Sequence, residues 1–154
     1  MIEDSNATQS ITLNARVSCM DKLNAFIGRT LDENKCPVHE RGQIELAAEE
    51  IFVNIALYAY KGEKTKKITV SSSIKETPDA TILSLAFSDN GCPFNPLEFA
   101  APDIKSEPKD RKTGGLGIFL VKKTMDTVDY FRKDEKNIVK LTKLWHKKRS
   151  IYEH

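Results

Sequence analysis

Glu50 and Asn54 are the first residues of the sequence whose types and spacing can do chemistry together. They interrupt an otherwise apolar run from Gln43 to Tyr60, QIELAAEEIFVNIALYAY. Small and apolar residues recur there at the three-and-four spacing of a buried helix, without Gly or Pro. Residues four apart lie one above the other on a helix, so this carboxylate and amide can act as a general base and a metal ligand. The alternative is that they line the solvated side of a core helix.

A glycine-rich run, KTGGLGIFLVKK, is the second candidate. Gly114, Gly115, Leu116 and Gly117 precede an apolar helical stretch. Glycines can aim consecutive backbone N–H groups at one point, and a helix that starts there adds the positive end of its dipole. The run lacks the Lys-Ser/Thr of a Walker loop and the upstream strand of a dinucleotide fingerprint. It therefore predicts an anion site, with a tight turn for close helix packing as the alternative.

The third candidate is Asp89 with Gly91, in the segment SDNGCPFNP that follows an alternating run of residues. A carboxylate at the rim of a sheet is a good acceptor for an exocyclic amine such as that of adenine. The glycine would let a flat ligand approach the backbone. The alternative is a plain Asx turn, for which Asp-Asn-Gly is well suited.

Strands and helices must position these residues. Alternation of apolar and polar residues predicts five strands, at residues 10–16, 68–74, 81–87, 127–132 and 138–145. Helical spacing predicts three helices, from a capping box of Ser18 and Asp21 to Asn34, from Gln43 to Tyr60, and from Ile118 to Met125. Helices on one side of a mostly antiparallel, mixed sheet make an α/β (α+β) two-layer sandwich.

Two connections complete this prediction. Residues 97–113 are polar and broken by proline, which predicts a long mobile loop that is either functional or disordered. Residues 134–137, Asp-Glu-Lys-Asn, are predicted as the turn between the last two strands.

The composition is that of a globular protein in a reducing compartment. The chain has 154 residues, of which 40% are hydrophobic and 30% charged, with a net charge of +2. We expect one domain over residues 10–145, with a flexible N-terminus (1–9) and a basic C-terminal tail (146–154). Three cysteines without CxxC spacing are read as reduced thiols, and neither a signal peptide nor a membrane span is apparent. We therefore expect a cytoplasmic protein that binds neither nucleic acid nor membrane.

Scattered signals predict no further site. The three histidines are too far from one another and from the cysteines to form a metal site, and are expected to face solvent. Basic residues around Trp145 form a short terminal cluster, expected to be solvated.

The order of the three candidates resembles the ATP-binding fold shared by gyrase, Hsp90, histidine kinases and MutL, called the GHKL or Bergerat fold. Glu50-x-x-x-Asn54 on a helix is followed by Asp89-x-Gly91 after a strand, a long lid, and the glycines that open a helix. Within that superfamily the chain resembles the stand-alone anti-sigma factor serine kinases. The resemblance extends over residues 10–145 and includes DNGCPFNP and GGLGIFLVKKTMDTVDY.

The resemblance implies a role for each motif residue. Asn54 would bind Mg²⁺, Glu50 would be the general base, Asp89 would bind the adenine amine, and Gly91 would floor the base pocket. The ATP phosphates would lie against the glycine-rich run and the end of the lid, at Arg111, Lys112, Thr113, Gly114, Gly115, Leu116 and Gly117. Two positions depart from the pattern, because Thr113 stands where some relatives have arginine and Tyr58 replaces a common histidine.

The resemblance also implies a function. The protein would be an ATP- and Mg²⁺-dependent serine/threonine protein kinase and anti-sigma factor, which phosphorylates an anti-sigma antagonist in a partner-switching pathway that regulates transcription. It would act as a homodimer, with its first strand and first helix at protein interfaces, and would bind a sigma factor in its other partner state. One alternative is a non-catalytic ATP-binding sensor that sequesters protein partners. Another is the ATPase domain of a sensor histidine kinase, disfavoured because no phosphoacceptor helix precedes it.

Overall fold

The computed structural model describes residues 8–63, 65–98 and 115–147. Five strands form one sheet in the order β1-β2-β3-β5-β4. Their bounds are β1 Gln9–Asn14, β2 Lys67–Glu76, β3 Ala80–Asp89, β4 Thr127–Lys133 and β5 Lys136–His146. All four pairings are antiparallel, so the expected mostly antiparallel sheet has no parallel pair among its described strands.

Three α-helices in the described part of the chain cover one face of this sheet. They are α1 Met20–Glu33, α2 Val38–Asn54 and α3 Gly115–Thr124. Burial alternates along β3, with Leu83, Leu85 and Phe87 fully buried and the residues between them less so. Phe87 belongs to the same core as Phe52 of α2, and burying such a side chain contributes roughly 1.5–3 kcal/mol. The predicted α+β two-layer sandwich is confirmed.

The central helix differs from its predicted bounds at both ends. It begins at Val38, because Pro37 is extended (φ −63°, ψ 152°) and needs no N–H partner where a helix starts. The α-helix ends at Asn54, and Ile55–Ala59 forms one π-helical turn instead of continuing to Tyr60. A π turn inserts one extra residue and re-aims the side chains beside it, and such turns are frequent at functional sites.

The capping box predicted for the first helix is wrong. Val17–Cys19 forms a short 3₁₀ turn, and the residue that precedes α1 is Cys19, with no side-chain cap hydrogen bond. Ser18 therefore lies inside the 3₁₀ turn, one residue too early to cap α1. The predicted end near Asn34 is confirmed.

The turn between the last two strands is shorter than predicted. Asp134 and Glu135 both have positive φ (53° and 63°), which suits a two-residue hairpin connection. Lys136 and Asn137 consequently belong to β5, and Asn137 pairs directly with Asp89 of β3. Strand β5 also continues to His146, one residue past the predicted domain boundary.

No helix in the described residues is both long and apolar enough to cross a membrane.

Candidate functional site

Glu50 of α2 lies against the first turn of α3. A Cβ atom added to Gly117 would be 2.0 Å from Glu50 Oε2 and 2.2 Å from Glu50 Cδ. A side chain at this position would overlap the Glu50 carboxylate unless that carboxylate moved. The contact places a carboxylate beside the N-terminal turn of α3, which the sequence predicts to bind phosphates.

The two neighbouring glutamates of α2 have different surroundings. Glu49 Oε1 accepts a hydrogen bond of 3.0 Å from Asn24 Nδ2 of α1. Glu50 is half-buried, and this burial, followed by the charge of Glu49, raises the pKa of its carboxyl above the ordinary value. A carboxylate with a raised pKa accepts a proton more readily, as a general base must.

Asn54 is almost completely buried, with 2% of its surface exposed. Its Nδ2 donates a hydrogen bond of 2.6 Å to the backbone oxygen of Glu50. A carbonyl oxygen only accepts, so this bond fixes the amide orientation and leaves Oδ1 as the atom that can bind a cation. Asn54 is also the last residue before the π turn.

Asp89 is buried at the end of β3, with 3% of its surface exposed. Its Oδ1 accepts hydrogen bonds of 2.9 Å from the backbone N–H of Gly91 and from Asn137 Nδ2. Burial raises the pKa of the Asp89 carboxyl, while these two bonds and the charge of Arg132 act in the opposite direction. The bond to Gly91 is the predicted Asx geometry, but the burial is more than a plain surface turn requires.

Gly91 is held close to the π turn. A Cβ atom added to it would be 2.6 Å from the backbone oxygen of Ala59, so only glycine fits without a backbone shift. The next residue, Cys92, donates its backbone N–H to that same oxygen at 3.2 Å. The loop after β3 is therefore attached to the end of the central helix.

Two tyrosines strengthen this attachment. The hydroxyl of Tyr60 is 2.6 Å from the backbone oxygen of Lys67 and accepts the backbone N–H of Asn90 at 2.9 Å. The ring of Tyr58 contacts Phe94 with ring centroids 5.6 Å apart. An aromatic contact thus occupies the position whose polar role the sequence left open.

The candidate residues lie along one element. Glu50 contacts Gly117 at one end, Ala59 contacts Gly91 at the other, and Asn54 lies between them. Glu50 and Ala59 are nine positions apart along α2 and the π turn. The residue that contacts Gly117, the predicted metal ligand and the residue that contacts Gly91 therefore follow one another along α2 and the π turn.

Part of the predicted phosphate site cannot be placed. Arg111, Lys112, Thr113 and Gly114 lie outside the described residues, as does most of the predicted lid. Gly115 is the first residue of α3, and the side chain of Leu116 is 56% exposed.

Sequence reasoning missed Asn137 as a candidate site residue. Buried residues on the inner face of β5 alternate as Asn137, Val139 and Leu141. The sequence pattern that could have identified Asn137 is its alternation with Val139 and Leu141, which places it on the buried face of the strand. A buried amide requires hydrogen-bond partners, so it is a candidate for a site. Assigning Asn137 to the turn concealed that register.

The described residues can supply a single protein ligand to Mg²⁺ bound with a nucleotide. No cluster of three or more His, Cys, Asp or Glu side chains occurs in the described ranges, so these residues form no all-protein metal cage. Mg²⁺ commonly takes one or two protein ligands and completes its shell with water and substrate phosphates, which suits the single oxygen of Asn54. Protein atoms occupy the Cβ position of both glycines, with the backbone oxygen of Ala59 at Gly91 and the Glu50 carboxylate at Gly117.

Comparison with known proteins decides the family. The model of the histidine kinase-like ATPase domain matches residues 13–143. The chain belongs to this family. The chain is 32% identical over 109 residues to the serine-protein kinase RsbW of Listeria monocytogenes serovar 1/2a. The matched region covers 68% of this chain and 66% of that protein. RsbW of Listeria innocua serovar 6a is 31% identical over the same shares. The chain thus spans slightly less than two thirds of these relatives.

Two solved structures share the fold. The RsbU and RsbW domains of Rv1364c from Mycobacterium tuberculosis align with a TM-score of 0.60 and 14% identity, over 88% of this chain and 32% of that one. The SiaB-SiaC complex from Pseudomonas aeruginosa aligns with a TM-score of 0.56 and 14% identity, over 92% of both chains. The resemblance to anti-sigma serine kinases of the GHKL superfamily is confirmed.

Proposed function

We propose that this protein is an ATP-dependent serine/threonine kinase that phosphorylates an anti-sigma antagonist and, in its other partner state, binds a sigma factor. The observation that carries the proposal is the contact of the Glu50 carboxylate with Gly117 at the first turn of α3. A module that only binds nucleotide needs no base beside its phosphate site. Similarity to the serine-protein kinase RsbW supports the same reaction.

Each end of the site would hold a different part of ATP. The exocyclic amine of adenine would donate to Asp89, whose Oδ1 already accepts two hydrogen bonds, and the base would lie over Gly91. The phosphates would lie at the N-terminal turn of α3, where backbone N–H groups favour anions, with Arg111, Lys112, Thr113 and Gly114 completing the cradle. Bound Mg²⁺ would neutralise phosphate charge, and Asn54 Oδ1 would hold it.

The reaction balances with one protein base. The oxygen of a serine or threonine hydroxyl of the substrate forms a bond to the γ-phosphorus, while the bond between that phosphorus and the β,γ-bridging oxygen breaks. ADP leaves with the bonding electron pair, and the hydroxyl proton passes to the Glu50 carboxylate. Glu50 must be ionised to accept it, so transfer declines as pH falls through its raised pKa.

The decisive experiment compares two glutamine variants of adjacent residues. Purified wild type, Glu50→Gln and Glu49→Gln are incubated with γ-labelled ATP, Mg²⁺ and the antagonist-domain protein encoded beside the gene. We expect Glu50→Gln to lose about 10²–10⁴-fold in transfer while its ATP affinity stays near that of wild type. Glu49→Gln is the matched control, because Glu49 is hydrogen-bonded to Asn24 of α1, and it should still transfer phosphate.

Two other results would contradict the proposed activity or the proposed base, respectively. ATP binding without transfer to any antagonist candidate would favour a non-catalytic nucleotide sensor. Equal transfer by wild type and Glu50→Gln would show that another group is the base.

The proposed partner exchange also requires exposed protein surface. Strand β1 forms one edge of the sheet, and its first residues are exposed. An edge strand presents backbone groups that another chain can pair with, which supports the expectation of a homodimer or client interface there.

A further inference from the structure

Both polar atoms of the Asn137 side chain, beside Asp89, form hydrogen bonds within the described residues. Only 1% of its surface is exposed. Its Nδ2 donates to Asp89 Oδ1 at 2.9 Å and to the backbone oxygen of Cys92 at 2.8 Å. Its Oδ1 accepts from the backbone N–H of Phe94, the hydroxyl of Tyr130 and the guanidinium of Arg132, at 3.2, 2.6 and 3.0 Å.

The partners of Asn137 permit only one orientation of its amide. The backbone N–H of Phe94 and the guanidinium of Arg132 are donors only, so the atom that faces them must be the oxygen. The nitrogen then necessarily faces Asp89. Strand register places the two residues directly opposite each other, and Arg132 also donates to the backbone oxygen of Gly91 at 3.2 Å.

We propose that Asn137 is a positioning residue that sets the base specificity of the nucleotide site, by donating to Asp89 Oδ1 and leaving Oδ2 free as an acceptor. This inference rests on the proposed ATP site. With Oδ1 accepting from Gly91 and Asn137, rotation of the carboxylate would break two hydrogen bonds. The free oxygen favours a base with an exocyclic amine and disfavours one with a carbonyl at the same place.

Asn137 also links Asp89 to the loop that follows β3. Asn137 bridges Asp89 to the backbone oxygen of Cys92 and the backbone N–H of Phe94. The loop and the carboxylate are therefore held by one side chain, and a change at this position alters both together.

Asn137→Asp tests the inference, because it is isosteric and replaces the donor facing Asp89 with an acceptor. The measurement is the ratio of dissociation constants for ATP and for purine riboside triphosphate, which lacks the amine, between pH 5.5 and 8.5. Wild type should prefer ATP by about 10-fold or more, the value of one hydrogen bond to a charged group. Its preference should hold or increase as pH rises, because Asp89 accepts when ionised.

The variant should show the opposite pH dependence. At low pH one proton shared by the two carboxylates restores a donor toward Asp89, whereas at high pH the two charges repel and the preference falls about 10-fold. The titratable and charged groups near this pair are Tyr130 and Arg132 of β4, Tyr60 after the π turn, and three lysines that line a cavity together with Asp89, namely Lys66, Lys67 and Lys136. A residue with a merely structural role would not reverse the sign of the pH dependence.

Controls separate the possible failures. Asn34→Asp is the control, because the Nδ2 of Asn34 also donates a hydrogen bond, here to the backbone oxygen of Thr30. This variant should keep the wild-type ratio of the two dissociation constants at every pH. If Asn137→Asp does not fold, Tyr130→Phe removes one donor to Asn137 Oδ1 and should reduce the preference by about 3-fold. Unchanged ratios in the folded variants would overturn the role of Asn137 alone. A wild type without preference for ATP would overturn the adenine site, and the role of Asn137 with it.

Discussion

The buried Asp89 carboxylate destabilises the fold and is also the proposed acceptor for the adenine amine. Desolvation raises the pKa of its carboxyl, so the folded protein binds that proton more tightly than the unfolded chain does. The charge therefore destabilises the fold at neutral pH. This destabilisation disappears as the pH falls from the pKa of Asp89 in the folded protein to its pKa in the unfolded chain.

Asp89→Asn should separate the two effects. At pH 7 we expect thermal stability equal to or above that of wild type, because the amide carries no charge and can still accept from Gly91 and Asn137. The stability difference should disappear as pH falls through the raised pKa. Preference for ATP over purine riboside triphosphate should be lost, because an acceptor is replaced.

Thermal melts between pH 4 and 8 and the two dissociation constants measure this prediction. A melting temperature several degrees below that of wild type at pH 7 would show that the Asp89 charge stabilises the fold. That result would contradict the direction assigned to the pKa of this carboxyl.

At the scale of elements, the contacts of the central helix and its π turn define the site. Gly91 and Gly117 both lie where a Cβ would collide, but the obstacles differ. At Gly91 the obstacle is the backbone oxygen of Ala59, which cannot move without disturbing the π turn. At Gly117 it is the end of the Glu50 side chain, which can rotate away.

The two glycine-to-alanine variants should therefore fail differently. Gly91→Ala should destabilise the fold by about 1–3 kcal/mol, as overpacking does. Gly117→Ala should fold with nearly normal stability but displace the Glu50 carboxylate and reduce phosphate transfer at least about 10-fold, since small misplacements are costly in catalysis.

Gly42→Ala is the matched control for both variants. Gly42 lies within α2, and no atom is within 4 Å of a Cβ added there. Replacing a helical glycine with alanine should stabilise the protein by about 0.5–1 kcal/mol without changing activity. Chemical denaturation and the transfer assay measure all three variants. Equal loss of stability in Gly91→Ala and Gly117→Ala would contradict the distinction between a rigid and a rotatable obstacle.

For the molecule as a whole, ligand binding should be visible as increased stability. A ligand that binds only the folded state at 100 times its dissociation constant stabilises by about 2.7 kcal/mol, which raises the melting temperature of a domain of this size by several degrees. Saturating ATP with Mg²⁺ should produce this shift in wild type, and ATP with a chelator should produce a smaller one.

Asn54→Ala should remove the magnesium-dependent part of that shift, because Asn54 Oδ1 is the proposed protein ligand. Asn34→Ala, at the end of α1, should keep it. A full magnesium-dependent shift in Asn54→Ala would show that another group binds the ion. The ligand-free melting temperature of each variant must be measured as well, since Asn54 is buried and also bonds the backbone of Glu50.

The sequence by itself determined the parts that depend on local periodicity. Glu50 and Asn54 share one helix face because they are four residues apart, whatever the helix packs against. Alternation along the strands likewise predicted the five strands, whereas α3 begins at Gly115, within the glycine run, and not at the predicted Ile118. Order and spacing of these motifs were enough to predict the family, which the match over residues 13–143 confirms.

Only the tertiary structure decided which of those residues meet. The approach of Gly117 to Glu50 depends on how α2 packs against α3, and the π turn is joined to the distant loop by the hydrogen bond from the Cys92 N–H to the Ala59 oxygen. Asn137 reached Asp89 because two residues with positive φ close the last hairpin and set the register of β5. Contacts between distant segments follow from packing and register rather than local pattern, so the residue that positions Asp89 was assigned to a turn until the strands were paired.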